Sequence, residues 1–98
     1  MAKATPIQEL TESALTEAIA LVIQRHRARL GMSRDQLAAK LDVHRNTLYF
    51  VEVGSKRGDY PFRRQQISIL NFVKMADVFG IQAGELLEEA VTAARAIK

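Results

Sequence analysis

The sequence predicts an all-α domain of five helices, and three observations support that fold class. Apolar residues recur at intervals of three and four in five separate segments. No segment shows the strict alternation of apolar and polar residues that is typical of a half-buried strand. The chain has 98 residues, 48% of them hydrophobic, which suffices for one small core. We therefore expect a single domain over residues 1–98, with its core at about 14–82 and a C-terminal helix at about 83–97.

The first helix has two possible starts. Thr5-Pro6-Ile7-Gln8 combines a Thr cap, Pro at the first helical position and Gln three residues after the cap. Either one helix runs from about 6 to 30, or a short turn precedes a helix that begins near 13. Gly31 ends the helix in both cases. Its apolar stripe consists of Leu15, Ala18, Ile19, Val22, Ile23, His26 and Leu30.

Residues 32–54 predict two short helices, near 33–41 and 44–53, joined by a tight turn. Ser33 and Gln36 have the spacing of a capping box. Asp42 lies at the corner, where the backbone is left-handed, a conformation that Asp adopts at some cost. Val43 fills the corner between the helices, and Gly54 stops the second one. The buried positions are Leu37, Ala38, Leu41, Leu48 and Val51.

A loop over 55–65 contains Gly, Asp and Pro breakers and precedes the fourth helix, at about 67–79, which Gly80 stops. The apolar residues of this helix are expected to close the core over the two preceding helices; they are Ile67, Ile69, Leu70, Phe72, Val73, Ala76, Val78 and Phe79.

The C-terminal helix carries an apolar stripe that is either monomer core or a dimer surface. Leu86 and Leu87 are expected to dock on the core. The stripe then extends past what a small globule covers, which predicts a homodimer held by Val91, Ala94 and Ile97, with the first helix as the alternative surface.

The outer face of the third helix carries guanidinium, amide and aromatic groups, the types that contact base edges and thymine methyls in a major groove. These residues are His44, Arg45, Asn46, Tyr49, Phe50 and Val53. Arg45 and Asn46 open the helix, where base contacts are expected. Tyr49 and Phe50 are consecutive, so they cannot both face the core. Both are candidate base contacts. The alternative is that one of them packs under the long loop, and Phe50 is preferred as the ring that faces DNA.

Positive charge is concentrated around this helix. Residues 25–64 hold ten Lys or Arg and four acidic residues, a net charge of +6, whereas the rest of the chain is −3 (four basic and seven acidic residues). Such a basic block indicates a phosphate-binding surface. The candidate phosphate contacts are Arg34, Gln36, His44, Lys56, Arg57, Arg63 and Arg64.

The segment resembles the Cro and phage-repressor (Xre-type) helix-turn-helix family. The resemblance rests on Leu37-Ala38, Val43, Leu48, Val51 and Glu52-x-Gly54, and it extends over roughly residues 18–87. It implies a compact lambda-repressor-like fold and sequence-specific binding of double-stranded DNA at a roughly palindromic operator. Two departures are present. Arg34 replaces the Gln that is frequent in the family, and the connection after Gly54 is longer than the family norm.

Three functions fit this pattern: a dimeric repressor, which we prefer, the DNA-binding antitoxin of a toxin–antitoxin pair, and a restriction–modification controller protein. An enzyme is not expected, because there is no nucleophile–base pair or Gly-rich phosphate loop. No cofactor or metal is expected either, and His26, His44 and Glu52 are assigned structural roles. Glu52 is expected either to pair with a nearby Arg or to accept hydrogen bonds from amides. The chain has no Cys and no apolar run of about 18 residues, consistent with a cytoplasmic, nucleoid-associated protein.

Overall fold

Five helices make up the structure, a computed structural model that describes residues 10–55 and 63–97. In chain order they are α1 (Glu12–Leu30), α2 (Arg34–Leu41), α3 (Arg45–Glu52), α4 (Ile69–Phe79) and α5 (Ala83–Ala96). The described residues contain no strand, only one isolated antiparallel bridge. The predicted all-α class is therefore confirmed.

The start of α1 agrees with the shorter of the two alternatives. The Thr11 side chain accepts a hydrogen bond from the Ala14 amide at 3.0 Å and so caps the helix. The Thr5-Pro6 signal lies outside the described residues. At the other end Gly31 has φ 62°, and its amide closes the last turn, as the sequence predicted.

The turn between α2 and α3 forms by local chemistry. Ser33 accepts from the Gln36 amide, and the Gln36 side chain accepts from the Ser33 amide, so the predicted capping box is present. Asp42 is left-handed, with φ 56° and ψ 46°. The Val43 amide then donates to the Ala38 carbonyl at 3.0 Å. These bonds fix the angle at which α3 leaves α2.

The core lies where α1 packs against α3, α4 and α5 and where α2 meets α3 and α4. Its largest fully buried side chains include residues from all five helices: Val22, Ile23, Leu37, Leu41, Leu48, Val51, Met75 and Leu86. Because the inward residues of α3 belong to this core, its opposite face must point to solvent. No helix among the described residues is both long and apolar enough to cross a membrane.

The end of α5 does not offer the free apolar surface that the sequence predicted. Ala94 is 1% exposed and packs with Ala14 and Ala18 of α1, while Val91 and Ile97 are half-buried. The small alanines let the end of α5 pack against the first half of α1. Ala94 is therefore part of the monomer core, which corrects its assignment to a dimer surface.

The apolar stripe of α4 is more exposed than the sequence predicted. Met75, Ala76 and Phe79 are buried, as expected. Ile69 and Leu70, in contrast, are 84% and 63% exposed, and Val73 is exposed as well. The stripe is too wide for one core, because the apolar residues of α4 extend around most of the helix.

Candidate nucleic-acid interface

The outward side of α3 is a continuous polar and aromatic surface, here called the reading face and defined as Arg45, Asn46, Tyr49 and Phe50. Arg45 and Asn46 are exposed, Tyr49 is 43% exposed, and Phe50 is half-buried. The four positions have the i, i+1, i+4, i+5 spacing of one helical stripe. The remaining face of α3 is anchored in the core by its buried residues, so the reading face has a fixed direction.

His44 caps the start of α3. Its ring Nδ1 accepts a hydrogen bond from the Asn46 amide at 3.1 Å. A ring nitrogen that accepts carries no proton, so the neutral ring has its N–H at Nε2. His44 is exposed, and this Nε2–H is a donor suited to a phosphate oxygen, which fits the predicted role of the residue.

The two adjacent aromatic rings have different surroundings. They pack edge to face, with ring centroids 5.8 Å apart and an interplanar angle of 78°. Phe50 borders a recess that it shares with Ser55, Arg63 and Arg64 of the following loop. Tyr49 is the more exposed ring. The sequence favoured Phe50 as the DNA-facing ring, but in the structure Phe50 lies against the loop and Tyr49 is the more exposed ring.

A buried carboxylate on the inner side of α3 links this helix to its neighbours. The Glu52 side chain is fully buried at the end of α3. Its Oε1 accepts from the Arg27 guanidinium of α1, with Nε at 3.2 Å, and its Oε2 accepts from Arg34 Nε of α2 at 3.1 Å. Arg27 also donates to the Met32 carbonyl in the turn before α2. Of the two possibilities for Glu52, the structure shows pairing with arginine, and the carboxylate joins three helices.

Arg34 is placed differently from the other predicted phosphate contacts. Besides its bond to Glu52, its guanidinium carbon lies 5.5 Å from the centroid of the Tyr49 ring. This is within the range of a cation–π interaction. Arg34 therefore connects the buried carboxylate to the reading face. Sequence spacing gave no signal for this role, because Arg34 and Glu52 are separated by 18 residues.

The base of the long loop is fastened to the end of α3. Ser55 and Arg63 exchange two backbone hydrogen bonds, of 2.8 and 3.0 Å. The Gln65 amide donates to the Phe50 carbonyl at 2.8 Å, and Arg64 Nε donates to the Glu52 carbonyl at 3.2 Å. These bonds satisfy carbonyls that a helix end leaves unpaired. They also keep the exposed Arg63 close to α3, whereas predicted contacts Lys56 and Arg57 lie outside the described residues.

Gln36 lies at the start of α2 with its amide oriented by the capping box. Its Oε1 accepts from the Ser33 amide at 2.8 Å. The NH₂ group of the same side chain remains available as a donor, and the residue is exposed. This arrangement suits the phosphate contact that the sequence predicted for Gln36.

Comparison with known proteins adds the decisive observation. Residues 23–58 match the family model described as helix-turn-helix. This segment belongs to the Xre/Cro-like helix-turn-helix family. The match begins in the second half of α1 and contains all of α2 and α3. No curated protein matches the chain. The matched helix-turn-helix supports a DNA-binding transcription regulator in general.

Proposed function

We propose that this protein is a repressor that binds double-stranded DNA sequence-specifically, as a homodimer on a roughly palindromic operator. The observation that carries the proposal is the reading face, which presents an arginine, an asparagine and a tyrosine on a helix anchored by Glu52. A family helix-turn-helix with this exposed surface is suited to the major groove.

Each exposed group of the reading face has a base partner of matching chemistry. Arg45 at the start of α3 suits guanine, whose O6 and N7 accept from both arms of a guanidinium. Asn46 suits adenine, whose N6 donates and N7 accepts. Tyr49 presents an apolar ring edge to a thymine methyl and a hydroxyl to a phosphate. These contacts define a short half-site.

Phosphate contacts flank the reading face on both sides. Gln36 and His44 offer neutral donors at the starts of α2 and α3, and Arg63 offers a charged one beside the end of α3. Arg64, Lys56 and Arg57 remain further candidates on the same loop. Contacts of this type set the orientation of the protein on the duplex and carry no base information themselves.

Two copies are proposed because one short helix reads only a few base pairs. A genome offers about 10⁶–10⁹ competing sites, against which so short a half-site gives little selectivity. A two-fold axis doubles the sequence read and requires half-sites about 34 Å apart, or a multiple of that spacing. Repression follows when such a dimer occupies a promoter.

The test is selection of bound sequences from random double-stranded DNA by the purified protein. We expect an enriched motif made of two inverted, related half-sites that contain guanine and adenine. Enrichment of a single, non-repeated half-site would contradict the dimeric part of the proposal. Binding without any enriched sequence would contradict specific recognition.

A further inference from the structure

Among residues 10–55 and 63–97, which the structure describes, one apolar surface has no partner. We call it the α4–α5 face and define it as Ile69, Leu70, Val73 and Leu87, all exposed large hydrophobic residues. Three lie within two turns of α4, and Leu87 lies in the first half of α5. Isolated surface hydrophobes are ordinary, but a contiguous group of this kind marks an interaction site.

The α4–α5 face also contains a recess. A groove of about 350 Å³ is lined almost wholly by apolar groups, from Ile19 of α1 across to α4 and the start of α5. Ala83 and Gly84 form part of the lining, so small residues leave the space open. Leu70 lies outside the groove and is 63% exposed. One surface therefore has both a projecting side chain and a recess able to receive one.

We infer that a second copy of this chain covers the α4–α5 face, and that this face is the dimer interface of the repressor proposed above. In a two-fold contact the same patch of one subunit meets that patch of the other. The patch must therefore contain both a projecting side chain and a recess that receives it. The Leu70 side chain of one subunit then enters the groove of the other. An unrelated partner would need only the recess or only the projection.

Charge at the edge of the face is compatible with self-association. Lys74 lies one turn after Leu70, and Asp77 lies one turn after Val73; both are exposed. The face carries one positive and one negative residue at its edge. Two such faces that meet across a two-fold axis therefore have no net charge with which to repel each other. The acidic residues Glu85, Glu88 and Glu89 line a different groove, with Arg25 of α1.

A weak contact between two α4–α5 faces suits a dimer that is completed on DNA. Apolar patches of about 300–600 Å² are the largest that a typical monomer exposes, and interfaces below about 1,200 Å² in total are weak. A weak contact suffices here, because two half-sites on one duplex hold the subunits at high effective concentration. The predicted surface at the end of α5 is less exposed than this face, since Ala94 is buried and Val91 is half-buried.

Two matched substitutions test the inference. Leu70→Glu places a charge in the α4–α5 face, and Leu21→Glu places the same charge at a 45% exposed leucine of α1 that does not line the groove. Circular dichroism checks that both variants fold. Sedimentation equilibrium is then expected to show dimerisation weakened about tenfold or more by Leu70→Glu, because an unpaired charge is buried, and unchanged by Leu21→Glu.

Binding to DNA separates this inference from the proposed function. Leu70→Glu is expected to bind a single half-site like the wild type but to lose cooperative binding to the full palindrome. A Leu70→Glu variant that dimerises and binds cooperatively like the wild type overturns the inference, and so does a wild type that occupies the palindrome without cooperativity. If the wild type shows no sequence preference yet dimerises through Leu70, the interface stands and the proposed function fails.

Discussion

At the residue scale, the site depends on a few side chains whose partners lie far apart in sequence. Ser33, Gln36 and Asp42 were predictable because capping boxes and left-handed corners use neighbours within four residues. The partners of Glu52 were not, because Arg27 and Arg34 reach it from two other helices. Only packing brings these charges together. The sequence therefore indicated that Glu52 could pair with an Arg, but not which Arg it would be. The same limit explains why Phe50 and not Tyr49 was expected to face DNA.

Replacing Glu52 with Gln is expected to lower the free energy of unfolding by about 3 kcal/mol. The change removes the negative charge that compensates Arg27 and Arg34 while keeping the shape of the side chain. Urea denaturation measures the effect, with Glu88→Gln on the exposed surface of α5 as the matched control. If both variants unfold at the wild-type midpoint, the carboxylate does not hold the three helices.

Replacing Asp42 with Gly is expected to stabilise the fold by about 0.5–1 kcal/mol. Asp42 is left-handed, and Gly adopts that conformation without the clash that a Cβ produces. Asp42→Val, whose branched Cβ aggravates the clash, is expected to destabilise. Thermal and urea unfolding of the two variants should move in opposite directions; a loss of stability with Gly would show that the Asp42 side chain matters more than its backbone.

At the element scale, helix periods located the elements well but did not determine what covers each face. The bounds of α2 and α3 agree with the predictions because caps and glycines mark them. The apolar stripes of α4 and α5 were visible too, yet an apolar face packs equally well on its own core or on another chain. Only the structure distinguishes the two: it buries Ala94 against α1 and leaves Leu70 exposed.

The packing of α5 on α1 predicts that Ala94 tolerates no larger side chain. Ala94→Leu is expected to destabilise the monomer by about 1–3 kcal/mol, because it forces α5 away from Ala14 and Ala18. Ala96→Leu, an exposed position two residues later, is the control and should be near neutral. Unfolding curves at several protein concentrations decide the matter. A concentration-dependent loss limited to Ala94→Leu would instead place this residue between subunits.

At the scale of the whole molecule, charge is distributed unevenly among the helices. The reading face and the loop base carry exposed Arg45 and Arg63, whereas α5 carries Glu85, Glu88 and Glu89. Several cations of the +6 block are engaged within the protein, since Arg27 and Arg34 bond to Glu52 and Arg29 bonds to the Phe79 carbonyl. The sequence predicted the basic block, but it did not predict which of its arginines form bonds within the protein. We expect the remaining asymmetry to orient the protein on approach to DNA.

This distribution predicts how single substitutions change the salt dependence of DNA binding. Each neutralised phosphate contributes a slope of about −0.9 to the plot of log K against log salt concentration. Arg63→Gln is expected to reduce the slope by about 0.9, whereas Gln36→Ala should weaken binding at every salt concentration without changing the slope. Arg25→Gln, beside the acidic residues of α5, is the control. Titrations at four or more salt concentrations suffice, and equal slopes for the wild type and Arg63→Gln would remove Arg63 from the phosphate contacts.

The central claim is that the reading face of α3 distinguishes base pairs, and affinities for single-base variants of the selected operator test it most directly. The wild type should lose about 1–3 kcal/mol of binding free energy when the guanine facing Arg45 is replaced. Arg45→Ala should bind the operator and that variant equally while still discriminating at other positions, and Arg25→Ala should match the wild type throughout. If Arg45→Ala instead weakens binding to every sequence by the same factor and keeps full discrimination at each position, Arg45 does not read a base and the account is contradicted.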